Sequence, residues 1–181
     1  MLPIGPLMIE HRLIERMLHL LSAQAKRIRG GAAPEPEFIS GALDFIRTYA
    51  DRCHHGKEED ILFRDLGRKS LSADDASLMN ELTREHIWAR SRVGELAAAA
   101  ADWRRGSGGA AERIARALDE LSSFYPEHIR KEDKVFFPAS MNYFSVEEKD
   151  RMLAEMAEFD RKLIHEHYRV LVERFEPPKG K

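Results

Sequence analysis

Two segments of the chain, residues 54–63 and 128–137, carry the same order of residue types. Each has a histidine, three residues, a glutamate, a second acid and, one residue later, two apolar residues. A histidine and a glutamate four residues apart lie on one face of a helix, about one turn from each other. An imidazole nitrogen and a carboxylate oxygen can then bind the same cation, so each segment predicts half of a metal site.

A second pair of matching segments, Glu10-His11 and Glu85-His86, strengthens this prediction. The histidines of this pair are 75 residues apart, and the first histidines of the two longer segments are 74 residues apart. A near-constant offset indicates an internal duplication. The predicted metal ligands are therefore four histidines and two glutamates: His11, His54, Glu58, His86, His128 and Glu132.

The composition fits one globular domain. The chain has 181 residues, 43% of them hydrophobic, and a net charge of -2, so neither a basic surplus nor an acidic tail predicts a nucleic-acid partner. The one cysteine, Cys53, excludes an intrachain disulfide, a thiolate zinc site and a cysteine-held iron–sulfur cluster built by this chain alone. The N-terminus lacks the features of a signal peptide, and no stretch reaches the roughly 20 apolar residues of a membrane helix. We expect a cytoplasmic protein without a membrane partner.

Turn signals rich in glycine, proline and serine divide the sequence into five helical segments. We predict helices at about 3–29, 36–66, 73–105, 110–140 and 146–175. Pro36, Ser72 and Ser145 supply start signals, and Pro126 predicts a kink or a helix restart just before His128. The predicted fold is all-α: an antiparallel four-helix bundle over 1–142, with an additional C-terminal helix in 143–181 packed on the same domain.

Helical register decides between the adjacent histidines His54 and His55. An α-helix turns about 100° per residue, which places His54 on the apolar face with Ile61 and His55 on the polar face with Asp51. We therefore expect His54 to point inward. His55, with Glu59, is expected on a solvated face or in a supporting role behind the ligands.

The predicted ligands lie on apolar faces, where polar groups without partners would cost several kcal/mol. A bound cation satisfies them, and the alternative is a set of metal-free, hydrogen-bonded His–Glu pairs. For the other candidates, Glu15 is a possible extra ligand, His19 a surface residue, and Cys53 a buried, inert thiol. Tyr49 and Tyr125 are expected to pack in the core with satisfied hydroxyls. Whether His165, Glu166 or His167 covers the metal site is a question that the sequence leaves open.

Imidazole and carboxylate ligands without thiolate, six in number and spread over four helices, suit two bridged first-row ions better than one tetrahedral zinc. Iron is the first choice, with manganese or zinc behind it. A ferritin-like bundle is disfavoured, because no histidine follows a glutamate by three residues.

The pattern of a lone histidine on the first and third helices and His-x-x-x-Glu on the second and fourth resembles the hemerythrin-like, or HHE cation-binding, family. The resemblance implies a di-iron centre with oxo or hydroxo and carboxylate bridges, in which the six residues are ligands and the glutamates bridge. Asp133 matches the spacing of the bridging aspartate in oxygen carriers and rivals Glu132. Those carriers have a fifth histidine one turn from the third-helix ligand, where Leu82 and Arg90 stand here.

The resemblance implies a binding protein without catalytic residues that takes O2 or NO, a small diatomic partner, for sensing, storage or scavenging. Three alternatives stay open. The first is a di-iron enzyme that reduces peroxide or O2. The second is a repair factor for iron–sulfur clusters under nitrosative stress, and the third is a metal-free helical interaction module.

Overall fold

The structure is a computed structural model that describes residues 1–161 and 165–176, with the side chains of 165–167 outside the description. The described residues form helices and turns without a strand. We number six helices. α1 spans Ile4–Arg29, α2 begins at Pro36, α3 spans Ala73–Arg104, α4 begins at Ala110, α5 spans Val146–Arg161, and α6 spans His165–Phe175.

The second and fourth helices change type along their length. α2 is α-helical over Pro36–Asp44, π-helical over Phe45–His55 and again over Glu58–Phe63, and it ends in the α-helical turn Arg64–Leu66. α4 is α-helical over Ala110–Lys131, π-helical over Glu132–Phe136, α-helical over Phe137–Ser140, and ends in the 3-10 turn Met141–Tyr143. π-helical turns are rare and are found mostly at functional sites. Here they coincide with both His-x-x-x-Glu motifs.

The predicted helix starts are confirmed by their caps. Pro36 occupies the first turn of α2, and the Ser72 hydroxyl accepts a hydrogen bond from the Asp75 amide at 3.1 Å. At α5 the capping box is reciprocal, because Ser145 Oγ accepts from the Glu148 amide while Glu148 Oε2 accepts from the Ser145 amide at 2.9 Å. The predicted restart at Pro126 does not occur, since α4 is continuous through that residue.

The first four helices form the predicted all-α bundle, in which α4 packs against both α1 and α3. Short turns between successive long helices are the signature of antiparallel neighbours. Two apolar clusters fill the interior: the first contains Leu21, Phe45 and Leu118, and the second contains Leu7, Leu62 and Phe137. Along each of the four helices the predicted ligand lies between these clusters.

The C-terminal helices cover the bundle. Met152 and Met156 of α5 are buried in the second cluster, while Tyr168 and Val172 of α6 are buried in the first. This burial extends both clusters beyond the four helices that carry the histidines. None of the helices in the described ranges is long and apolar enough to cross a membrane.

Candidate metal centre

The structure brings all six predicted ligands together, along with His55. Three histidines, His55, His86 and His128, form one group in which one nitrogen of each lies within 4.8 Å of the others. The second group contains His11, His54, Glu58 and Glu132 by the same distance. Every residue of both groups is buried.

The two glutamates lie between the groups. Glu58 has one oxygen 3.4 Å from His54 Nε2 and the other 3.4 Å from His86 Nε2. Glu132 Oε2 is 3.3 Å from both His11 Nε2 and His128 Nε2. Each carboxylate therefore faces histidines of both groups, which is the arrangement that two bridging carboxylates require.

The inner atoms of this cluster have no hydrogen-bond partner among the residues that the structure describes. They are the Nε2 atoms of His11, His55, His86 and His128 and both carboxylate oxygens of Glu58 and of Glu132. Buried polar atoms are almost always bonded, and leaving one unpaired costs about 1–3 kcal/mol. Eight such atoms pointing at one space fit a site for cations, which would bind all of them at once.

Each of the five histidines uses its other nitrogen to hold a carboxylate. An ionised carboxylate only accepts, so the imidazole Nδ1–H donates, and in the neutral imidazole Nε2 then keeps its lone pair for the inner space. The pairs are His11 with Asp133 at 2.7 Å, His54 with Glu10 at 2.9 Å, His55 with Asp51 at 3.2 Å, His86 with Glu59 at 2.7 Å, and His128 with Glu85 at 2.8 Å. Metal-bound histidines are oriented by this kind of hydrogen bond.

A lysine or arginine side chain donates to the carboxylate of each of these five pairs. Arg12 donates to Asp133, Lys57 to Glu10, and Lys131 to Glu85. Arg90 serves two pairs, because it donates to Asp51 and to Glu59, both at 2.8 Å. The carboxylates are thus fixed on both sides, and so is the orientation of each imidazole.

A model of the hemerythrin HHE cation binding domain matches residues 2–140, and a second match covers 78–174. The chain belongs to the hemerythrin HHE family. Searches of curated proteins and of solved structures found no match. The second family match begins 76 residues after the first, close to the spacing of the repeated histidines, which supports the predicted duplication.

The hemerythrin-like assignment and the buried histidine and glutamate groups together support metal binding at this centre.

His55 is the member of the cluster that the sequence did not predict. It was expected on a solvated face or in a supporting role behind the ligands, and its exposed fraction of only 1% contradicts the solvated face. The prediction is wrong because it assumed a turn of 100° per residue, whereas the π-helix Phe45–His55 bonds each residue to the fifth one along and turns less per residue. His54 and His55 therefore both reach the interior, with ring centroids 5.7 Å apart. The doubled histidine itself was the one available signal.

Asp133 and Glu132, which competed in the sequence analysis, take different positions in this hemerythrin-like site. Glu132 points into the cluster, while Asp133 lies behind His11 and accepts from Arg12. Glu15 also lies outside the cluster, where its partly exposed carboxylate pairs with Arg12 at 3.1 Å. An additional ligand role for Glu15 is not supported by this geometry.

The remaining candidates are settled more simply. His19 is exposed, as predicted. Cys53 is buried, and burial together with the nearby Glu10 carboxylate raises its pKa to about 12, which keeps the thiol protonated and inert, as predicted. The side chains of His165, Glu166 and His167 lie outside the described residues.

The pKa values of the two glutamates reflect the close packing of charged groups in this cluster. Burial raises the pKa of Glu58 well above its usual value, and the neighbouring Glu132 carboxylate raises it further. Burial opposes ionisation of Glu132 too, but the charge of His128 and the neighbouring imidazoles of His11 and His86 hold its pKa well below the usual value. Two adjacent buried carboxylates need positive charge between them, which a metal cation supplies.

The histidine pKa values also diverge. Burial works against protonation of His11, but its hydrogen bond to Asp133 and the neighbouring Glu132 carboxylate outweigh this effect and raise the pKa of His11 to about 9. Burial and the neighbouring His11 lower the pKa of His54 to about 4. Burial and the adjacent His86 lower the pKa of His55 well below its usual value. His54 and His55 are therefore neutral, the form in which imidazole binds metal.

Aromatic rings enclose the hemerythrin-like centre. Phe137 stacks on His11 with centroids 5.7 Å apart, Phe63 stacks on His86 at 6.0 Å, and Phe124 stacks on His128 at 5.7 Å. Phe137 is fully buried. These rings restrict the approach of water to the inner nitrogens and hold the imidazole planes in place.

Proposed function

We propose that this chain holds two iron ions and binds O2 or NO at that pair, for sensing, storage or scavenging. The observation that carries the proposal is the set of eight inner nitrogen and oxygen atoms, all buried and all without a hydrogen-bond partner. One ion fits the group of His11 and His54, and the other fits His55, His86 and His128, with Glu58 and Glu132 shared. His55 enlarges the ligand set to five histidines and two glutamates.

The donor chemistry supports iron over the other candidates. Imidazole and carboxylate together, without thiolate, suit iron, and manganese and zinc are the alternatives. Seven donor residues are more than one tetrahedral zinc uses. Iron would supply reversible electron transfer and a position for a diatomic molecule when it is bound here.

The chain's own residues have three tasks in this proposal. The inner histidine nitrogens and carboxylate oxygens bind the ions and set how many positions are taken. The outer carboxylates fix the imidazole tautomers, and the aromatic rings around His11 and His86 keep bulk water away. Dry, apolar surroundings favour binding of a neutral diatomic molecule over hydrolytic side reactions.

A binding role is preferred to the enzymatic alternative because neither Tyr49 nor Tyr125 is ready to donate a proton near neutral pH. Burial raises the pKa of Tyr125 and that of Tyr49 well above the usual tyrosine value, beyond the range of proton exchange near neutral pH. Catalytic reduction of peroxide or O2 needs such a donor.

The first test is metal content per chain by elemental analysis, on protein made in iron-replete cells and purified without nickel. We expect about two irons per chain in the wild type and a loss in His54→Ala and His128→Ala, while the exposed His19→Ala retains both. The second test records the absorption spectrum of the deoxygenated, reduced protein before and after O2 or NO. A reversible change supports the proposal, and a protein that carries iron without any such change contradicts the gas-binding part alone.

A further inference from the structure

A cavity of about 290 Å³ lies beside the metal centre, between α2, α3 and α4. His55 and Tyr125 are among its lining residues, which makes the cavity a direct neighbour of the histidine cluster. The apolar side chains of Ile46, Ala89 and Val93 also line it. We call this cavity the His55 pocket.

The size of the His55 pocket exceeds what a diatomic molecule needs. A single water needs a cavity of roughly 10–15 Å³. A cavity of about 290 Å³ therefore has room for many more atoms than two. Pockets that bind small organic molecules begin at about 300 Å³. The pocket is therefore matched to a small organic molecule.

Gly94 is an exposed residue at the edge of the His55 pocket. It lies in the interior of α3, where glycine destabilises a helix relative to alanine. No conformational need explains it, because the positive φ angles belong to Gly31, Gly106 and Gly109 among the described residues. A Cβ atom at Gly94 would meet nothing within 4 Å, so no close approach requires glycine either. A larger side chain at this position would therefore enter open space beside the pocket.

The polar groups of the pocket define the chemistry of its ligand. Arg47 is exposed on the lining, and no ion pair of the described residues involves it. Arg90, also on the lining, is paired with Asp51 and with Glu59, so Arg47 contributes an extra positive charge. Tyr125 is 3% exposed, and no hydrogen bond within the described ranges involves its hydroxyl. The lining thus carries two arginines and the Asp51 carboxylate, which is paired with Arg90, together with one hydroxyl donor and apolar walls.

We propose that the His55 pocket binds a small organic anion with a short apolar body, which packs against Ile46, Ala89 and Val93 while Arg47 holds its anionic group. The apolar body lies beside His55, so the ligand sits next to the metal centre. This proposal rests on the proposed function in one respect only, namely that metal is bound on the other side of His55. The binding itself depends on the pocket residues.

The test is isothermal titration of the full, metal-loaded protein with hexanoate, with hexanol as the uncharged counterpart. We expect saturable binding of one hexanoate per chain and weaker binding of hexanol. Arg47→Gln is expected to weaken hexanoate about fivefold. The matched control Arg52→Gln removes an exposed arginine of the same helix that does not line the pocket, and it is expected to bind as the wild type does.

Gly94→Phe provides the decisive variant, because the open space at Gly94 admits a ring that occupies the pocket and the substitution removes no proposed metal ligand. Loss of hexanoate binding in Gly94→Phe, with binding retained in Gly94→Ala, supports the proposal. Circular dichroism on each variant reports whether it is folded. The proposal is overturned if the wild type shows no saturable binding, or if Gly94→Phe binds hexanoate as well as the wild type, which would place the carboxylate elsewhere, including directly on the ions.

Metal analysis on the same samples separates the two proposals. Hexanoate binding without bound iron would overturn the di-iron function and leave the pocket proposal standing. Two irons per chain without hexanoate binding would overturn the pocket proposal alone.

Discussion

The ring of His55 lies flat against the ring of His86, with centroids 3.8 Å apart and planes 11° from parallel. The two residues come from different helices, and each holds its own carboxylate, Asp51 or Glu59, on the outer side. Both imidazoles therefore present a buried Nε2 atom without a hydrogen-bond partner to the same space. This stacking, rather than a second histidine on α3, supplies the fifth imidazole of the cluster.

His55→Ala is expected to weaken binding of one ion and spare the other. The substitution removes one of three nitrogens from the group with His86 and His128 and leaves the group of His11 and His54 intact. We expect one metal per chain to dissociate at least about tenfold more readily. The measurement is metal release to a chelator of graded strength, followed by elemental analysis. Equal retention of both ions in His55→Ala and in the control His19→Ala would show that His55 is not a ligand.

The sequence predicted more of this centre than single-chain patterns usually allow, and the reason is the duplication. A repeated His-x-x-x-Glu motif with a repeated lone histidine identified six members of the cluster, because helical spacing fixes which side chains share a face. Turn signals placed the first four helices within a few residues of their observed ends, whereas the predicted fifth helix at 146–175 includes residues 162–164, which lie outside the described residues. These features depend on local sequence alone.

What the sequence did not predict depends on departures from α-helical geometry and on contacts between distant residues. The π-helical stretch that turns His55 inward has no recognised local signal, so a register argument at 100° per residue failed there. The partners of the outer carboxylates come from elsewhere in the chain. Lys57 and Glu10, for example, are 47 residues apart, and spacing within one helix cannot relate them.

Lys57→Met is expected to destabilise the fold. The Lys57 side chain is fully buried and donates to both Glu10 and Asp160, so its removal deprives two carboxylates of a shared cation. Breaking a buried pair by removing one partner costs about 3–5 kcal/mol. Urea unfolding of the metal-loaded protein measures this change, with the exposed Lys134→Met as control. A difference below about 1 kcal/mol between these two variants would contradict a structural role for the buried ion pairs.

Arg90→Gln is expected to loosen the metal without removing a ligand. Arg90 donates to Asp51 and Glu59, which orient His55 and His86, so both imidazoles lose a fixed partner. Loss of such an outer contact weakens metal affinity about 10–100-fold. Competition with a chelator compares Arg90→Gln with Arg84→Gln, which alters an exposed arginine of the same helix. Identical metal affinities would show that the outer cation is dispensable.

The neighbouring acids Glu132 and Asp133 are expected to respond differently to amide substitution. Glu132 has both oxygens in the inner space, whereas Asp133 reaches the centre only through His11. Glu132→Gln removes a charged inner oxygen shared between the two groups, so we expect loss of most of the bound metal. Asp133→Asn keeps an oxygen that accepts from His11, so both ions should remain, with affinity lowered by no more than about 10–100-fold. Metal stoichiometry of the two variants, measured side by side, decides between them, because the opposite ranking would assign the bridge to Asp133.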